Sequence, residues 1–449
     1  MTLAICQAWL MFTRIQALRF RCLRSIDQEL GRFTVLVGPN ASGKTTFLDV
    51  IALLGDLMRN GGKVADTVLE RSRDFQKLLW RGEGSSFQLA VEARLPEHVR
   101  KGMAEPYRHF TRVRYEIEIG LDAESNLLGL EHEVLWLLNG TEASQPRQPE
   151  LFPSPPEPPA SIFLRSGKGR KLIVSNKLGG NANYVPDGKK TYQPSFRLGR
   201  ETAAMANIPA DRDSFRAAPW FRDLLMNGIQ SLTLNSQAIR QPSPPGLGRR
   251  FQPNGSNLPW VVAELRKDAD RFGQWLDHVR TALPDIEDIQ SVERPEDRHR
   301  YLVIQYEGGA EVPSWLASDG TLRLLALTIL PYLRDFDGVI LVEEPENGIH
   351  PRAIETVLQS LASIYDGQVL LATHSPVALN MLEPKDVLCF AKDASGATDI
   401  VAGDQHPALR YWKTGEPGQK IAQRIALVRC QDPAFHRLRQ TLHRWFPAP

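Results

Sequence analysis

Cysteine is scarce in this sequence. Among 449 residues there are four, Cys6, Cys22, Cys389 and Cys430, far apart and without CxxC spacing. That excludes a disulfide framework or a zinc ribbon and fits a reducing cytoplasm. Long hydrophobic runs are missing as well: no stretch approaches the ~18 apolar residues of a membrane span. Charge of one sign is not in excess, since 54 Lys and Arg stand against 52 Asp and Glu, a formal +2. This excludes a polybasic protein whose whole surface binds nucleic acid, yet leaves room for a local basic patch. There is no internal repeat and no heptad run of coiled-coil length. The N-terminal stretch MTLAICQAWLMFTRI lacks the basic start and small-residue cleavage site of a signal peptide. The periodic pattern begins near Met11, so residues 1–10 read as an upstream extension. What remains, with 42% hydrophobic and 24% charged residues, is a globular chain long enough for about three domains.

Ile15 to Phe20 and Phe33 to Val37 read as strands, the second a buried, β-rich run that stops at Gly38. The apolar spacing of Phe47, Leu48, Ile51, Leu53, Leu54 and Leu57 predicts a helix from Lys44 to about Met58. Residues 87–95, 113–119 and 131–138 alternate like antiparallel strands. Residues 144–160 are proline-rich and predict a semi-rigid loop. Residues 161–260 give no clear pattern. Helices follow at 257–267 and 269–283, a strand at Tyr301 to Tyr306, and then a regular α/β alternation. Trp260, Trp275 and Leu276 are expected in the core of this region. Helix 352–364 is expected to be scaffold, and His350–Pro351 a turn.

Gly38-Pro39-Asn40-Ala41-Ser42-Gly43-Lys44-Thr45 matches GxxxxGK[ST] in full, entered by a strand and left by a helix. Glycines let successive backbone N–H groups turn inward on phosphates, and the helix N-terminus adds positive partial charge. Lys44 supplies a point charge for the β- and γ-phosphates, and Thr45 a hydroxyl for Mg²⁺. A metal-holding carboxylate is then needed at the tip of a neighbouring strand. Val339-Ile-Leu-Val342-Glu343-Glu344 provides it: Glu343 faces the metal and Glu344 is placed to accept a proton from an attacking water. Gln368 to Thr373 is a further buried strand, and His374 at its end can touch the γ-phosphate or the water. Asn176-Lys177 lacks the aspartate two residues on that a guanine reader of the NKxD kind requires, so the expected nucleotide is ATP.

Together these residues resemble the ABC-type ATPases, whose order of motifs is phosphate loop, signature, acidic strand and switch histidine. The signature slot holds Ala317-Ser318-Asp319-Gly320-Thr321-Leu322-Arg323. The likeness is closer to the soluble branch of RecF, SMC-like and OLD-family ATPases. Arg19-Phe20-Arg21-Cys22 resembles its NFRS stretch, with Arg19 in place of the usual Asn, and Glu343-Glu-Pro-Glu-Asn-Gly-Ile-His350-Pro351 resembles its EEPExxLHP stretch. The resemblance implies an α/β ABC-type ATPase head, with a mixed central sheet flanked by helices, an antiparallel β subdomain and an inserted α-rich lobe. It implies an ATP site formed by residues 38–46, ending at Thr46, with Arg21, and closed by Ser318, Asp319 and Gly320 of a second copy. Lys44, Glu344 and His374 are the implied catalytic residues, and Thr45 and Glu343 the implied Mg²⁺ ligands. The Q-loop glutamine is not fixed; Gln76, Gln88 and Gln237 are candidates.

The expected organisation is a head split between residues 12–140 and 301–400, a proline-rich loop and irregular insertion at 141–229, a helical lobe at 230–300 and a helical tail at 401–449. The expected function is a cytoplasmic ATP-hydrolysing switch that closes as a homodimer or larger homo-oligomer. Its expected partner is a separately encoded effector, nuclease-like or Toprim-like, in prokaryotic anti-phage defence, because too little chain follows His374 for an OLD-type Toprim domain. The alternative is a RecF-like DNA clamp, with Arg165, Lys168, Arg170 and Lys171, or Arg424, Arg429, Arg437, Arg439 and Arg444, on phosphates. A transporter motor fits worst, since no membrane segment is present.

Overall fold

The computed structural model describes residues 11–406, apart from 123–125, 141–156, 179, 249, 335–337, 376–378 and 380–381. Residues 1–10, most of the proline-rich loop, and the tail with Arg424, Arg429, Arg437, Arg439 and Arg444 therefore lie outside the described residues. No helix among the described residues is long and apolar enough to cross a membrane.

A six-stranded sheet holds the centre. It contains β3 (Phe33–Val37), β10 (Ile229–Leu232), β14 (Gly338–Glu343), β15 (Gly367–Thr373), β16 (Val387–Lys392) and β17 (Thr398–Ala402). Their spatial order is β10-β14-β15-β3-β16-β17, parallel throughout except for the last pair. The apolar runs are long because both faces are covered. Leu36, Val339, Leu341, Leu370 and Ala372 pack into one core. Val35, Val37, Ile340, Val342, Val369 and Leu371 pack into another on the opposite side.

On the first side lie α1 (Lys44–Arg59), α2 (Val64–Leu69), α3 (Glu97–Gly102) and α4 (Ala217–Asn227), with an eight-stranded antiparallel sheet. That sheet is ordered β2-β1-β4-β5-β6-β7-β8-β9. Its strands are β1 (Phe12–Phe20), β2 (Leu23–Glu29), β4 (Ser86–Arg94), β5 (Arg112–Leu121), β6 (Leu128–Leu138), β7 (Arg170–Lys177), β8 (Ala182–Tyr184) and β9 (Ser195–Phe196). On the second side lie α5 (Ser236–Arg240), α6 (Leu258–Leu265), α7 (Ala269–Ala282), α8 (Asp319–Thr328) and α9 (Pro351–Ala362). A three-stranded sheet, β11 (Ile286–Glu293), β12 (Arg300–Tyr306) and β13 (Ala310–Pro313), completes this side.

The unpatterned region 161–260 is thus largely ordered chain serving both main sheets. Strands β7 to β9 prolong the antiparallel sheet, and β10 pairs with β14 at the edge of the central one. Of the three apolar residues expected in the core, Trp275 and Leu276 are buried. Trp260 is half-buried beneath the Arg300 guanidinium, 4.9 Å from its ring centre.

Two polar devices join these parts. The buried Gln368 amide of β15 pairs with both the N–H and the C=O of Phe12, at 2.8 and 2.7 Å, and donates to the Gly31 carbonyl at 2.8 Å, tying the central sheet to the antiparallel one. Residues 161–164 lie across the outer face of the antiparallel sheet. There Gln88 accepts from Ser161 and the Ile162 amide, Arg114 donates to the Ile162 carbonyl, and Glu116 accepts the Leu164 amide. Gln88 is buried in this task.

Candidate functional site

The parallel register places the carboxyl ends of three strands side by side: Val37 of β3 pairs with Thr373 of β15, whose neighbour Ala372 pairs with Glu343 of β14. Ligands of open parallel sheets are bound beyond such ends. Every chain segment leaving these three strands carries a residue singled out by the sequence.

Beyond β3, the chain turns through Gly38 (φ 157°), Ala41 (φ 61°) and Gly43 (φ 106°) into α1. Gly38 approaches the Phe390 carbonyl of β16 so closely that a Cβ would stand 2.3 Å from it. The buried Thr398 hydroxyl of β17 donates to the Ser42 carbonyl at 2.9 Å and pins the loop from below. Pro39 and Asn40 form the exposed tip. Lys44 is buried, and its Nζ donates to the carbonyls of Gly38 at 2.8 Å and Pro39 at 3.0 Å. Burial lowers the Lys44 pKa, while Glu344, Glu346 and Glu343 oppose that shift. Thr46 contacts the Cys22 thiol at 3.5 Å, which brings the turn between β1 and β2 against α1. Arg21, at φ 49° in that turn, pairs with Asp49 of α1 at 3.2 Å, and Asp49 is held in turn by Arg71 at 2.7 Å.

Beyond β14, Glu343 accepts a short hydrogen bond from the Thr45 hydroxyl. Glu344 adopts φ 47°, a left-handed conformation that costs a non-glycine residue roughly 1 kcal/mol or more. Its amide donates to the Ala372 carbonyl at 2.7 Å. Its carboxylate is clasped from two sides, by the Asn347 amide at 2.6 Å and by His374 Nδ1 at 3.3 Å. Beyond β15, His374 is steadied by Glu346, which accepts from the His374 amide at 3.2 Å and the Thr373 hydroxyl at 2.6 Å. Glu346, Asn347 and Thr398 were assigned no role by the sequence. The first two stand within three residues of Glu344, a signal that was available. Thr398 is 356 residues from its partner, and no spacing rule reaches that far.

The structure brings Gly38 to Thr46, Glu343, Glu344 and His374 together, with Arg21 on the flank. Ser318, Asp319 and Gly320 sit apart, at the start of α8. The Ser318 hydroxyl caps α8 by accepting from the Thr321 amide at 3.1 Å. Asp319 pairs with Arg240 of α5 at 2.6 Å. Gly320 packs on the loop after β14, where a Cβ would lie 2.9 Å from the Gly348 carbonyl. Of the glutamines weighed for the Q-loop, Gln88 is buried under residues 161–162, Gln237 is in the first turn of α5, and Gln76 lines a cavity together with Arg21. His350 caps α9 by accepting the Arg352 amide at 3.3 Å, in keeping with a turn residue.

Among the described residues no cluster of three His, Cys, Asp or Glu side chains forms a self-sufficient metal cage. Thr45 and Glu343 supply two oxygens side by side. That donor set suits Mg²⁺, which keeps several waters and takes its remaining ligands from substrate phosphates.

A strand–glycine loop–helix turn facing an acidic strand end defines a P-loop nucleotide site. The chain belongs to the AAA_21 family, "AAA domain, putative AbiEii toxin, Type IV TA system", whose model matches residues 33–380. It is a P-loop ATPase of the branch that includes the OLD proteins. A stretch of 48 residues is 54% identical to the OLD nuclease of Thermus scotoductus (strain ATCC 700910 / SA-01), covering 10% of this chain and 9% of that protein. The match thus spans under a tenth of that relative's length. Among solved structures, an Smc head bound to the C-winged helix domain of ScpA has a TM-score of 0.48 and 12% identity, covering 87% of this chain and 97% of that one. The SMC head domain of Thermotoga maritima has a TM-score of 0.42 and 12% identity, over 88% and 99% of the two chains.

Proposed function

We propose that the protein hydrolyses ATP and uses the reaction as a switch. The observation that carries this reading is the strained Glu344, held between Asn347 and His374 one residue beyond the carboxylate that meets Thr45. Glu344 is the proton acceptor for the attacking water, and His374, oriented by Glu346, bears on the γ-phosphate. Lys44 and the loop amides bind the phosphates. Thr45 and Glu343 hold Mg²⁺, which offsets phosphate charge when bound. Arg21 takes the flank of the nucleotide.

The signature at the start of α8 serves a second copy. Ser318 and Gly320 of one subunit close on the ATP of the other, so hydrolysis removes the γ-phosphate contacts that hold the dimer shut. The Gly320 contact with the Gly348 carbonyl supports this coupling, because the loop that carries Glu344 also seats the signature of the same subunit. The family's toxin–antitoxin description supports control of a separately encoded effector in prokaryotic defence, in the cytoplasm.

Glu344→Gln is expected to slow phosphate release by roughly 10²–10⁴-fold while retaining ATP binding. It should trap an ATP-bound dimer in size-exclusion chromatography with light scattering. A variant that binds ATP and stays monomeric would sink the sandwich. Copurification with neighbouring gene products tests the effector.

A further inference from the structure

A second cavity opens beside the nucleotide site, and no residue of 38–46 lines it. Its volume is about 400 Å³. Its walls are the end of β1 (Arg19), the start of β2 (Arg24), the turn at Trp80–Arg81, the Ser395 turn between β16 and β17, and Pro158–Ala160 of the segment leading onto the antiparallel sheet.

Three arginines line it, Arg19, Arg24 and Arg81, against one acidic residue, Glu83, and the Arg81 guanidinium donates to the Ser395 carbonyl on the same wall. Arg19 and Arg24 make no ion pair among the described residues. The Arg19 Nε is buried and has no hydrogen-bond partner among the described residues, a state it shares with the Nε atoms of five other arginines. Asp393 is a nearby carboxylate whose pKa Arg24 helps to lower, and its Oδ1 accepts from the Ser395 hydroxyl and the Ala397 amide. Arg19 and Arg81 stand at φ 59° and 55°, where asparagine or glycine is at ease and arginine is strained. Two long cations thus stand at costly positions, both on one cavity, and Arg81 packs over the Trp80 ring at 5.3 Å.

We propose that this cavity binds single-stranded nucleic acid, one phosphate meeting Arg19, Arg24 and Arg81 and a neighbouring base lying on the half-exposed Trp80. Basic grooves with an aromatic platform bind single strands in this way. A concave site of this size is in the range that admits one small unit at a time rather than the flank of a duplex. Trp80 and Arg81 also wall the adjoining cavity that reaches Arg21 and Cys22, so the strand would run toward the turn that abuts α1. One short turn then serves both sites, with Arg19 and Arg24 on the nucleic-acid cavity and Arg21 and Cys22 against the nucleotide helix.

The test is fluorescence anisotropy of the full chain with a labelled oligothymidylate, across roughly 50–200 mM salt. Arg19→Asn combined with Arg81→Asn suits the left-handed positions, so the variant should melt no lower than the parent and bind a fluorescent ATP analogue as well. Oligonucleotide affinity should nevertheless fall at least about tenfold, and the log–log salt slope by at most ~0.7, the share of the one phosphate these arginines meet. Trp80→Ala should also cost roughly tenfold, with Trp80→Phe close to the parent. The proposal is overturned if the parent chain binds no oligonucleotide at the low-salt end, or if the double variant binds it as tightly as the parent. It is also overturned if inorganic pyrophosphate at equal phosphate concentration displaces the strand, which would make this a free-phosphate site.

Discussion

Gly43 occupies a point where no side chain fits. At φ 106° it is in backbone territory that only glycine enters cheaply, and a Cβ there would stand 2.2 Å from the Thr398 hydroxyl and 3.1 Å from the Cys22 sulfur. Gly43→Ala should therefore push the loop off Thr398 and break its bond to Ser42. The expected result is a loss of stability of about 1–3 kcal/mol by thermal or denaturant melting, with ATP binding reduced by at least tenfold in a titration. Unchanged binding would show that the loop can move as a unit. At this scale the sequence was most legible where chemistry restricts the residue type. The glycines, Lys44, Thr45 and the paired carboxylates each have few substitutes for their task. Glu346 and Asn347 were harder to read because their work is to orient Glu344 and His374, and many polar residues can orient. The pairing of Asp319 with Arg240 was invisible for another reason: those two residues are brought together only by the packing of α5 on α8.

Strands buried on both faces announced themselves, and strands that are short or half-exposed did not. Phe33–Val37 was read to the residue because all five positions are buried. By contrast β10 is four residues long, and β7 alternates with polar positions along a loop-rich stretch. One joint between the two large sheets is likewise a polar side chain, Gln368, in a run that reads as apolar. Removing it tests that joint. Gln368→Ala leaves the Phe12 amide, its carbonyl and the Gly31 carbonyl without their partner, a destabilisation of about 2–4 kcal/mol from unsatisfied buried groups. Unfolding in urea should register it as a lower midpoint with an unchanged slope. A loss under about 0.5 kcal/mol would mean that water replaces the amide and that the joint is not structural.

For the molecule as a whole, nucleotide and fold are linked. A ligand bound only by the folded chain adds stability of ~2.7 kcal/mol at a hundred times its dissociation constant. ATP with Mg²⁺ should thus raise the melting midpoint of the parent chain. It should do so far less for Lys44→Ala, which removes the cation that the loop wraps. An equal shift in both would indicate that ATP binds elsewhere. The proline-rich stretch, expected to be a loop from its composition, gave no hint that residues 161–164 after it would lie across the antiparallel sheet through hydrogen bonds to Gln88, Arg114 and Glu116. Those contacts depend on polar atoms that a pattern of apolar spacing does not register.

The position of β3 between β15 and β16 has a consequence for synthesis. The strand that carries the phosphate loop is made early, but both of its sheet neighbours are encoded more than 330 residues later. Until those segments leave the ribosome, Val35 and Val37 have no partners, and Gly38 lacks the Phe390 carbonyl that backs it. A chain broken off before residue 373 therefore carries the full phosphate-binding motif without the strands that back it, and is expected to show no ATP binding in a titration where the full chain binds.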